Sequence, residues 1–235
     1  MLWNISCLTL ITETNKHTQM RKILVTLLLL SGISYAVHAQ TDAKANAILS
    51  QVSKKYKSYA AVKADFTFTY DNSQAKVKES SKGTLFIKAA TNKYKVVMTD
   101  KEIISNGKTQ WTYLKEDKEV QVNAVDNSGD DINPAQIFTM YEKGYKALFT
   151  SESKVGAKVY QNIDLSPVDT KKSFFKIKLS IDKVAKQVSS FTVFDKNGSK
   201  YTYNVKSFVP NLNIPESTFA FDAKKYPGVD VVDLR

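Results

Sequence analysis

The sequence predicts a mainly β (α+β) domain in which a curved antiparallel sheet of about eleven strands is covered by two helices. Short runs that alternate apolar and polar residues follow one another over most of the chain, which is the pattern of half-buried strands. The connections between these runs are too short for crossover helices, so the strands should pair antiparallel. Two stretches instead carry apolar residues at intervals of three and four, which favours helices.

The first 39 residues are predicted to be a secretory signal that is removed from the folded domain. A pair of basic residues precedes an apolar run over 23–30, and small residues place the cleavage point between Ala39 and Gln40. The apolar run is too short to span a bilayer comfortably. Residues 1–19 lack the signal pattern and are predicted to be an extension ahead of the true start. We expect 40–235 to form a single domain.

The first helix is predicted over 41–59, where Ala45, Val52 and Tyr56 belong to one apolar stripe. Its apolar face should pack against the sheet.

A second helix is predicted over 133–148. It opens with Asn133-Pro134, a good N-cap followed by a residue that suits the first helical position. Gly144 lies inside this stretch and costs a helix about 1 kcal/mol relative to alanine. We therefore expect a movable lid helix.

Alternation with a period of two continues between and after the helices, and Asn-Gly at 106–107 favours a tight hairpin turn. The strands are predicted at 65–70, 74–80, 82–88, 93–99, 101–105, 109–114, 118–125, 157–165, 173–181, 187–195 and 199–208.

The composition excludes several kinds of site. Both histidines and the single cysteine lie in the predicted signal, so the domain offers no cysteine nucleophile, disulfide, histidine-containing triad or His/Cys metal site. Oxygen ligands for calcium occur over 126–131, but their spacing departs from a known calcium loop. We expect no enzyme, no cofactor and no metal. Because no cysteine stands at the predicted cleavage point, we also expect no lipid anchor.

The chain is basic, with a formal net charge of +11. Removing the signal takes away three of 34 basic and one of 23 acidic residues, which leaves about +9 and a single arginine, Arg235. Lysines alternate along predicted solvent faces, and arginine, which reads bases, is nearly absent, so nucleic acid is not an expected partner. Three interpretations of the lysines remain open: a solvated face, contact with anionic membrane surfaces, or contact with acidic patches of a partner protein.

Large apolar side chains are predicted to fill the concave side of the sheet. From the residues alone, two interpretations stay open: an ordinary core plugged by the helices, or a groove of acyl-chain size that is exposed when the lid moves. The inward candidates on the strands are Phe66, Phe68, Tyr94, Val96, Met98, Trp111 and Tyr113.

The order of these segments resembles the LolA-type periplasmic carriers of outer-membrane lipoproteins. The resemblance covers nearly all of 40–235 and rests on ADFTFTY, GTLFIK, NKYKVVM, EIISNGKTQWTY, NPAQIF and the closing STFAFDAKKYPGVDVVD. It implies an unclosed β-barrel lidded by helices, whose interior holds lipoprotein acyl chains in the periplasm. Pattern and resemblance together assign the acyl-chain site to Phe66, Phe68, Leu85, Ile87, Tyr94, Val96, Met98, Trp111, Tyr113, Ile137, Phe138 and Tyr141.

The resemblance also implies partners: acylated lipoproteins, an inner-membrane lipoprotein-releasing ABC transporter, and an outer-membrane acceptor or the membrane surface. We expect a monomer. The alternative function is an envelope module that senses lipids or binds another acylated molecule, such as a glycolipid or a pigment precursor.

One feature departs from some well-known members of this family, which carry an inward arginine just after the Leu-x-φ-Lys strand. That arginine hydrogen-bonds the lid shut. Here Lys88 is followed by Ala89 and Ala90. Another contact must hold the closed state, or that state is less favoured.

Overall fold

The computed structural model describes residues 42–125 and 133–235. The chain divides into two compact units, Met1–Ala43 and Lys44–Arg235. Almost all of the first unit lies outside the described residues, so the predicted signal and its cleavage point stay predictions. The residues over 126–131 that were considered as calcium ligands also lie outside the described residues.

The described residues form one α-helix and twelve strands, and all but the first two residues of the helix belong to the second unit. The helix α1 covers 42–57, close to the predicted 41–59. The strands are β1 (Val62–Asn72), β2 (Val77–Lys88), β3 (Lys93–Met98), β4 (Lys101–Ser105), β5 (Thr109–Leu114), β6 (Glu119–Ala124), β7 (Tyr145–Val155), β8 (Lys158–Pro167), β9 (Phe174–Asp182), β10 (Gln187–Asp195), β11 (Ser199–Pro210) and β12 (Asp230–Asp233).

All twelve strands belong to one curved sheet in the order β12-β6-β5-β4-β3-β2-β1-β11-β10-β9-β8-β7. Neighbouring strands pair antiparallel, except that β12 runs parallel to β6. Strands β12 and β7 are two separate edges of the sheet, so it does not close into a barrel. The predicted curved, unclosed architecture is confirmed.

The hydrophobic core lies on the concave side of the sheet, which we call the inner face. One stripe of α1 is buried against it, as the sequence predicted. The buried stripe consists of Ala45, Ile48, Leu49, Val52 and Tyr56.

The predicted lid helix over 133–148 is wrong. Two 3₁₀ turns, Pro134–Gln136 and Met140–Glu142, stand in its place, and β7 begins at Tyr145. Gly144 has a φ of +78°, a left-handed conformation that ends the helical path and that glycine adopts at little cost. After it, the chain gains a full ladder of hydrogen bonds with β8, which outweighs a weak helical preference. We call 134–142 the covering segment.

The strand prediction also differs from the structure in three places. The stretches 74–80 and 82–88 form the single strand β2, because the turn from β1 lies at 73–76. There the Asn72 side chain accepts hydrogen bonds from two backbone N–H groups. Strand β7 begins with the last four residues of the predicted helix and continues to Val155, where no strand is predicted. Strand β12 is only four residues long, too short to show alternation.

A close contact in the centre of the sheet depends on glycine. The ring of Phe66 lies over Gly83 on the paired strand β2, and a Cβ at Gly83 would stand 2.4 Å from Phe66 Cζ. The side chain of Phe66 therefore occupies the space that any larger residue at 83 would need.

We predict that Gly83→Ala lowers the free energy of unfolding by about 1–3 kcal/mol, the usual cost of overpacking a core. Urea denaturation measures this change. In a Phe66→Leu background the ring is gone, so the same substitution should cost clearly less. Equal costs in the two backgrounds would mean that this contact does not determine the choice of glycine.

Candidate functional site

An apolar cavity of about 450 Å³ lies between the inner face and the covering segment. This volume falls within the range of small-molecule sites, about 300–1,000 Å³. Its walls come from β1–β4, β9–β11 and the covering segment, and they are lined by Ala64, Phe66, Phe68, Leu85, Val96, Met98, Lys101, Ile103, Pro134, Ile137, Phe138, Ser173, Phe174, Phe191, Val193, Asp195, Tyr201, Tyr203 and Val205.

One wall of the cavity is a continuous group of aromatic rings centred on Tyr203. The ring centroid of Tyr203 lies 4.5 Å from that of Phe191 and 5.0 Å from that of Phe68. Phe66 follows at 5.8 Å. Such contacts add about 0.5–1.5 kcal/mol per pair beyond the area they bury, so this wall is preformed. Burial raises the pKa of Tyr203 to about 12, because its hydroxyl lies where an ionised form would be poorly solvated.

Polar groups are few in the described lining and lie towards one end of it. Lys101 and Asp195 are its charged residues, and Ser173 is exposed beside them. Lys101 begins β4 and Asp195 ends β10, which places them at the same end of the sheet. We call this end the mouth of the cavity. Among the described residues, no group of three or more His, Cys, Asp or Glu side chains could hold a metal ion.

Seven of the twelve predicted site residues line the cavity: Phe66, Phe68, Leu85, Val96, Met98, Ile137 and Phe138. Three others, Ile87, Tyr94 and Tyr141, are buried in the core beside it. Tyr94 is 2% exposed and its hydroxyl donates to Gln110 Oε1 at 2.5 Å. These three support the walls. Acyl-chain binding by any of the predicted residues stays a prediction.

The prediction that Trp111 and Tyr113 point into the cavity is wrong. Cross-strand partners share a face, and the inner residues Val96 and Ile103 are in register with Thr112. Because successive residues of a strand alternate, Trp111 and Tyr113 lie on the opposite, outer face.

The C-terminal segment covers these two rings on the outer face. Trp111 stacks on Phe221 with centroids 6.3 Å apart, and Tyr113 contacts Tyr226 at 4.8 Å. Tyr226 also donates a hydrogen bond to Glu102 Oε2 at 3.0 Å. The aromatic pair after the Asn-Gly turn therefore anchors the C-terminal segment and does not belong to the cavity.

The same segment is fixed further along by a small core and an ion pair. Phe219 is 1% exposed and packs with Ala61 and Ile214 in a separate outer cluster. Glu216 receives hydrogen bonds from Lys88 and Lys93 at 2.6 and 2.8 Å. These bonds lower the pKa of Glu216 to about 2, so the contact persists to acidic pH.

Seven of the nineteen lining residues come from β9–β11 and are not among the residues predicted for the site. These residues alternate with polar neighbours, as the residues on β1–β3 do. The alternation along the predicted strands could have identified these residues. The site was predicted from the motifs that carry the resemblance, and those motifs lie elsewhere in the chain.

Side chains of α1 hold the covering segment over the cavity. The rings of Tyr56 and Phe138 are stacked with centroids 4.0 Å apart and planes within 4°. Glu142 accepts hydrogen bonds from Ser53 and from Lys57 Nζ, the latter at 2.7 Å. The segment is thus closed by one aromatic stack and one charged cluster.

A third contact, made by Asn133, helps to hold the covering segment closed without the inward arginine. Asn133 Oδ1 caps the first 3₁₀ turn by accepting from Ala135 N at 2.9 Å, as its N-cap position predicted. Asn133 Nδ2 donates to Asn92 Oδ1 at 3.1 Å, which ties the covering segment to the β2–β3 connection. A neutral amide pair thus contributes to closure.

This geometry defines a class of protein: an open half-barrel that covers an apolar cavity with a short irregular segment. A family model described as "Outer membrane lipoprotein carrier protein LolA" matches residues 57–222, which is more than half of the chain. The chain therefore belongs to the LolA family.

Solved structures have a similar fold at low sequence identity. An uncharacterized conserved protein from Thermus thermophilus is 15% identical with a TM-score of 0.54, covering 81% of this chain and 99% of its own. A LolA superfamily protein from Nitrosomonas europaea is 10% identical with a TM-score of 0.42 over 75% and 97%. MucB of Pseudomonas aeruginosa, in complex with MucA, is 13% identical with a TM-score of 0.45 over 77% and 62%. No curated protein matches significantly.

In the part of the chain that the structure describes, no helix is both long and apolar enough to cross a membrane.

We predict that Glu142→Ala loosens the covering segment without unfolding the sheet. An exposed ion pair contributes about 0.2–1 kcal/mol, so amide hydrogen exchange within 134–142 should become about 1.4- to fivefold faster. Glu116→Ala is the matched control, because Glu116 is an exposed glutamate in the β5–β6 turn. Unchanged exchange in the Glu142 variant would mean that the charged cluster around Glu142 does not hold the covering segment closed.

Acidification should loosen the segment in the same way. Hydrogen bonds from Lys57 and Ser53 hold the pKa of Glu142 below its usual range. The stabilisation is therefore complete above the ordinary glutamate range and is lost as the pH falls through the lowered pKa. Exchange measured against pH should show this step in the wild-type protein and lack it in Glu142→Ala. A step of equal size in both would contradict the assignment.

Proposed function

We propose that this protein is a periplasmic carrier that binds the acyl chains of lipoproteins in its cavity and moves them from the inner to the outer membrane. The observation that carries the proposal is the lining of the cavity, which is aromatic and aliphatic except at the mouth. Membership of a family described as outer membrane lipoprotein carriers supports the same conclusion.

The energetics suit a carrier that must also release its cargo. Each buried methylene contributes about 0.8 kcal/mol, so ten methylenes of one chain supply roughly 8 kcal/mol, near micromolar affinity. Complete burial of two or three chains would slow release. A cavity of about 450 Å³ favours partial burial, which leaves the affinity low enough for transfer to a partner.

The covering segment suits repeated opening. Its two 3₁₀ turns have three residues each, so few backbone hydrogen bonds hold it together. Closure depends on the stack of Tyr56 on Phe138 and on the cluster around Glu142. Segments with few internal bonds open at low free energy. Displacing this segment would expose the aromatic wall to an acyl chain.

The polar groups of the cavity suit binding better than catalysis. Its charged lining residues, Lys101 and Asp195, have opposite signs and come from strands on different sides of the cavity. General acid–base chemistry needs groups within hydrogen-bond reach of one reacting atom. We infer a binding role for this site, in which these groups face the polar part of a bound lipid.

The proposed route needs export and two partners. The predicted signal over 1–39 would deliver the domain to the periplasm. An inner-membrane lipoprotein-releasing ABC transporter would supply the acylated lipoprotein, and an outer-membrane acceptor or the membrane itself would receive it. We expect the carrier to act as a monomer.

We predict that Met98→Glu and Val96→Glu weaken binding of a fluorescent triacylated lipopeptide at least about a hundredfold, because an unpaired carboxylate would be buried against the chain. Thr99→Glu is the matched control, since Thr99 is exposed and follows Met98 directly. Fluorescence titration gives the affinities, and urea denaturation checks folding.

Two results would contradict the proposal. Unchanged lipopeptide binding in both cavity variants would mean that the inner face of β3 is not the binding surface. Strong binding of a diacyl glycolipid together with none of the lipopeptide would favour the alternative, a module that senses or binds another acylated molecule.

A further inference from the structure

Two connections lie side by side at the mouth of the cavity. The β8–β9 loop, 168–173, contacts the β10–β11 turn through Lys196, whose backbone N–H donates to Ser173 O at 2.9 Å and whose Nζ donates to Thr170 O at 2.5 Å. Ser173 of the loop and Asp195, the last residue of β10 before the turn, line the cavity. The two connections thus border the cavity on one side and face solvent on the other.

Two successive phenylalanines at this edge point in opposite directions. Phe174 is 3% exposed and lines the cavity, whereas Phe175 is 52% exposed. Phe175 has one aromatic neighbour, Phe194, with ring centroids 6.2 Å apart. A bulge in the pairing of β9 with β10 places the extra residue here. Phe175 is therefore the unpaired residue of this bulge and lies within strand β9, not at a loop tip.

Lysines lie on the strands and connections next to Phe175 and outnumber the nearby carboxylates. One of them, Lys176, lies over the ring of Phe194 at 4.6 Å from its centroid. Three aspartates lie among these lysines. Asp164 pairs with Lys176 at 3.5 Å. Asp169 and Asp195 each accept a hydrogen bond from a backbone N–H group two residues further along the chain. We call the following set the lysine rim: Phe175 with Lys171, Lys172, Lys176, Lys178, Lys196 and Lys200.

We propose that the lysine rim is a docking surface for anionic lipid headgroups and that it sets the mouth of the cavity against a membrane. A cluster of basic residues gains attraction from anionic lipids, and a ring beside it can enter the headgroup region. The docking itself does not need the cavity to be loaded. Its value for transfer rests on the proposed carrier function.

The composition of the rim favours a lipid surface over a protein acceptor. Stable protein interfaces are enriched in tyrosine, tryptophan and arginine and are depleted of lysine. The rim has six lysines and no arginine. Long lysine side chains reach phosphates as mobile point charges, which suits a fluid layer of headgroups.

The test is co-sedimentation of the processed protein with vesicles of phosphatidylglycerol and phosphatidylcholine in equal parts, compared with vesicles of phosphatidylcholine alone. We expect binding to the anionic vesicles that weakens with added salt. Lys171→Gln with Lys200→Gln should lower the partition coefficient about 25-fold, because each lysine contributes about fivefold. Phe175→Ser should lower it about tenfold.

The control is Val184→Ser with Lys186→Gln, in the β9–β10 turn. Val184 is 89% exposed, and this turn lies at the other end of β9 from the rim. The control removes an exposed apolar side chain and a lysine far from the mouth, and it should bind vesicles like the wild-type protein. Urea denaturation checks that every variant folds.

Lipopeptide binding, measured in parallel, separates this proposal from the carrier proposal. The rim variants should load lipopeptide normally, and Met98→Glu should still bind vesicles. Equal binding to neutral and anionic vesicles, binding to neither, or equal losses in the rim and control variants would overturn the proposal. Retention by neither kind of vesicle would leave a protein acceptor as the occupant of the rim.

Discussion

The alternation of side chains along an open sheet is the constraint on which the rest of this structure depends. Strands β1 and β11 are long and pair over their full length near the middle of the sheet. Every second residue of such strands points to the same face. One face thus becomes an aromatic cavity wall and the other a largely polar surface. Because the sheet does not close on itself, its inner face needs a cover from elsewhere in the chain. On the outer face, the C-terminal segment covers the rings of Trp111 and Tyr113.

The C-terminal segment on the outer face is held more firmly than the covering segment on the inner face, and this difference suits their roles. On the outer face, the C-terminal segment buries Phe219, forms an ion pair through Glu216 and ends in β12 against β6. On the inner face, α1 is a packed helix, but the covering segment beside it has two short 3₁₀ turns. Opening can therefore be confined to the covering segment while the sheet and its outer layer stay fixed.

Much of the fold could be predicted from the sequence because its signals are local. The stripe of α1, the period of two along the strands and the Asn133 cap each depend on residues within one or two turns of chain. The fate of the predicted lid helix is not local. Its last four residues, 145–148, begin strand β7 because β8 offers a partner there, and the residues of that stretch carry no signal of such a partner.

The side of the sheet on which a residue lies was the hardest feature to predict. Alternation shows that Trp111 and Thr112 face opposite ways, but it does not say which of them faces inward. Register with β4 decides this, and it places the smaller, polar residue inside. The large aromatic side chain was assigned to the cavity because it is apolar, although the C-terminal segment provides a second apolar environment on the outer face.

Native mass spectrometry of the protein purified from its own periplasm tests the central claim most directly, since the claim is that lipoprotein acyl chains fill the cavity. We expect a fraction of molecules to carry an added mass that fragments into triacylated peptides, and we expect this fraction to vanish in Met98→Glu. A consistently empty protein, or a bound lipid that never includes a peptide, would contradict the account.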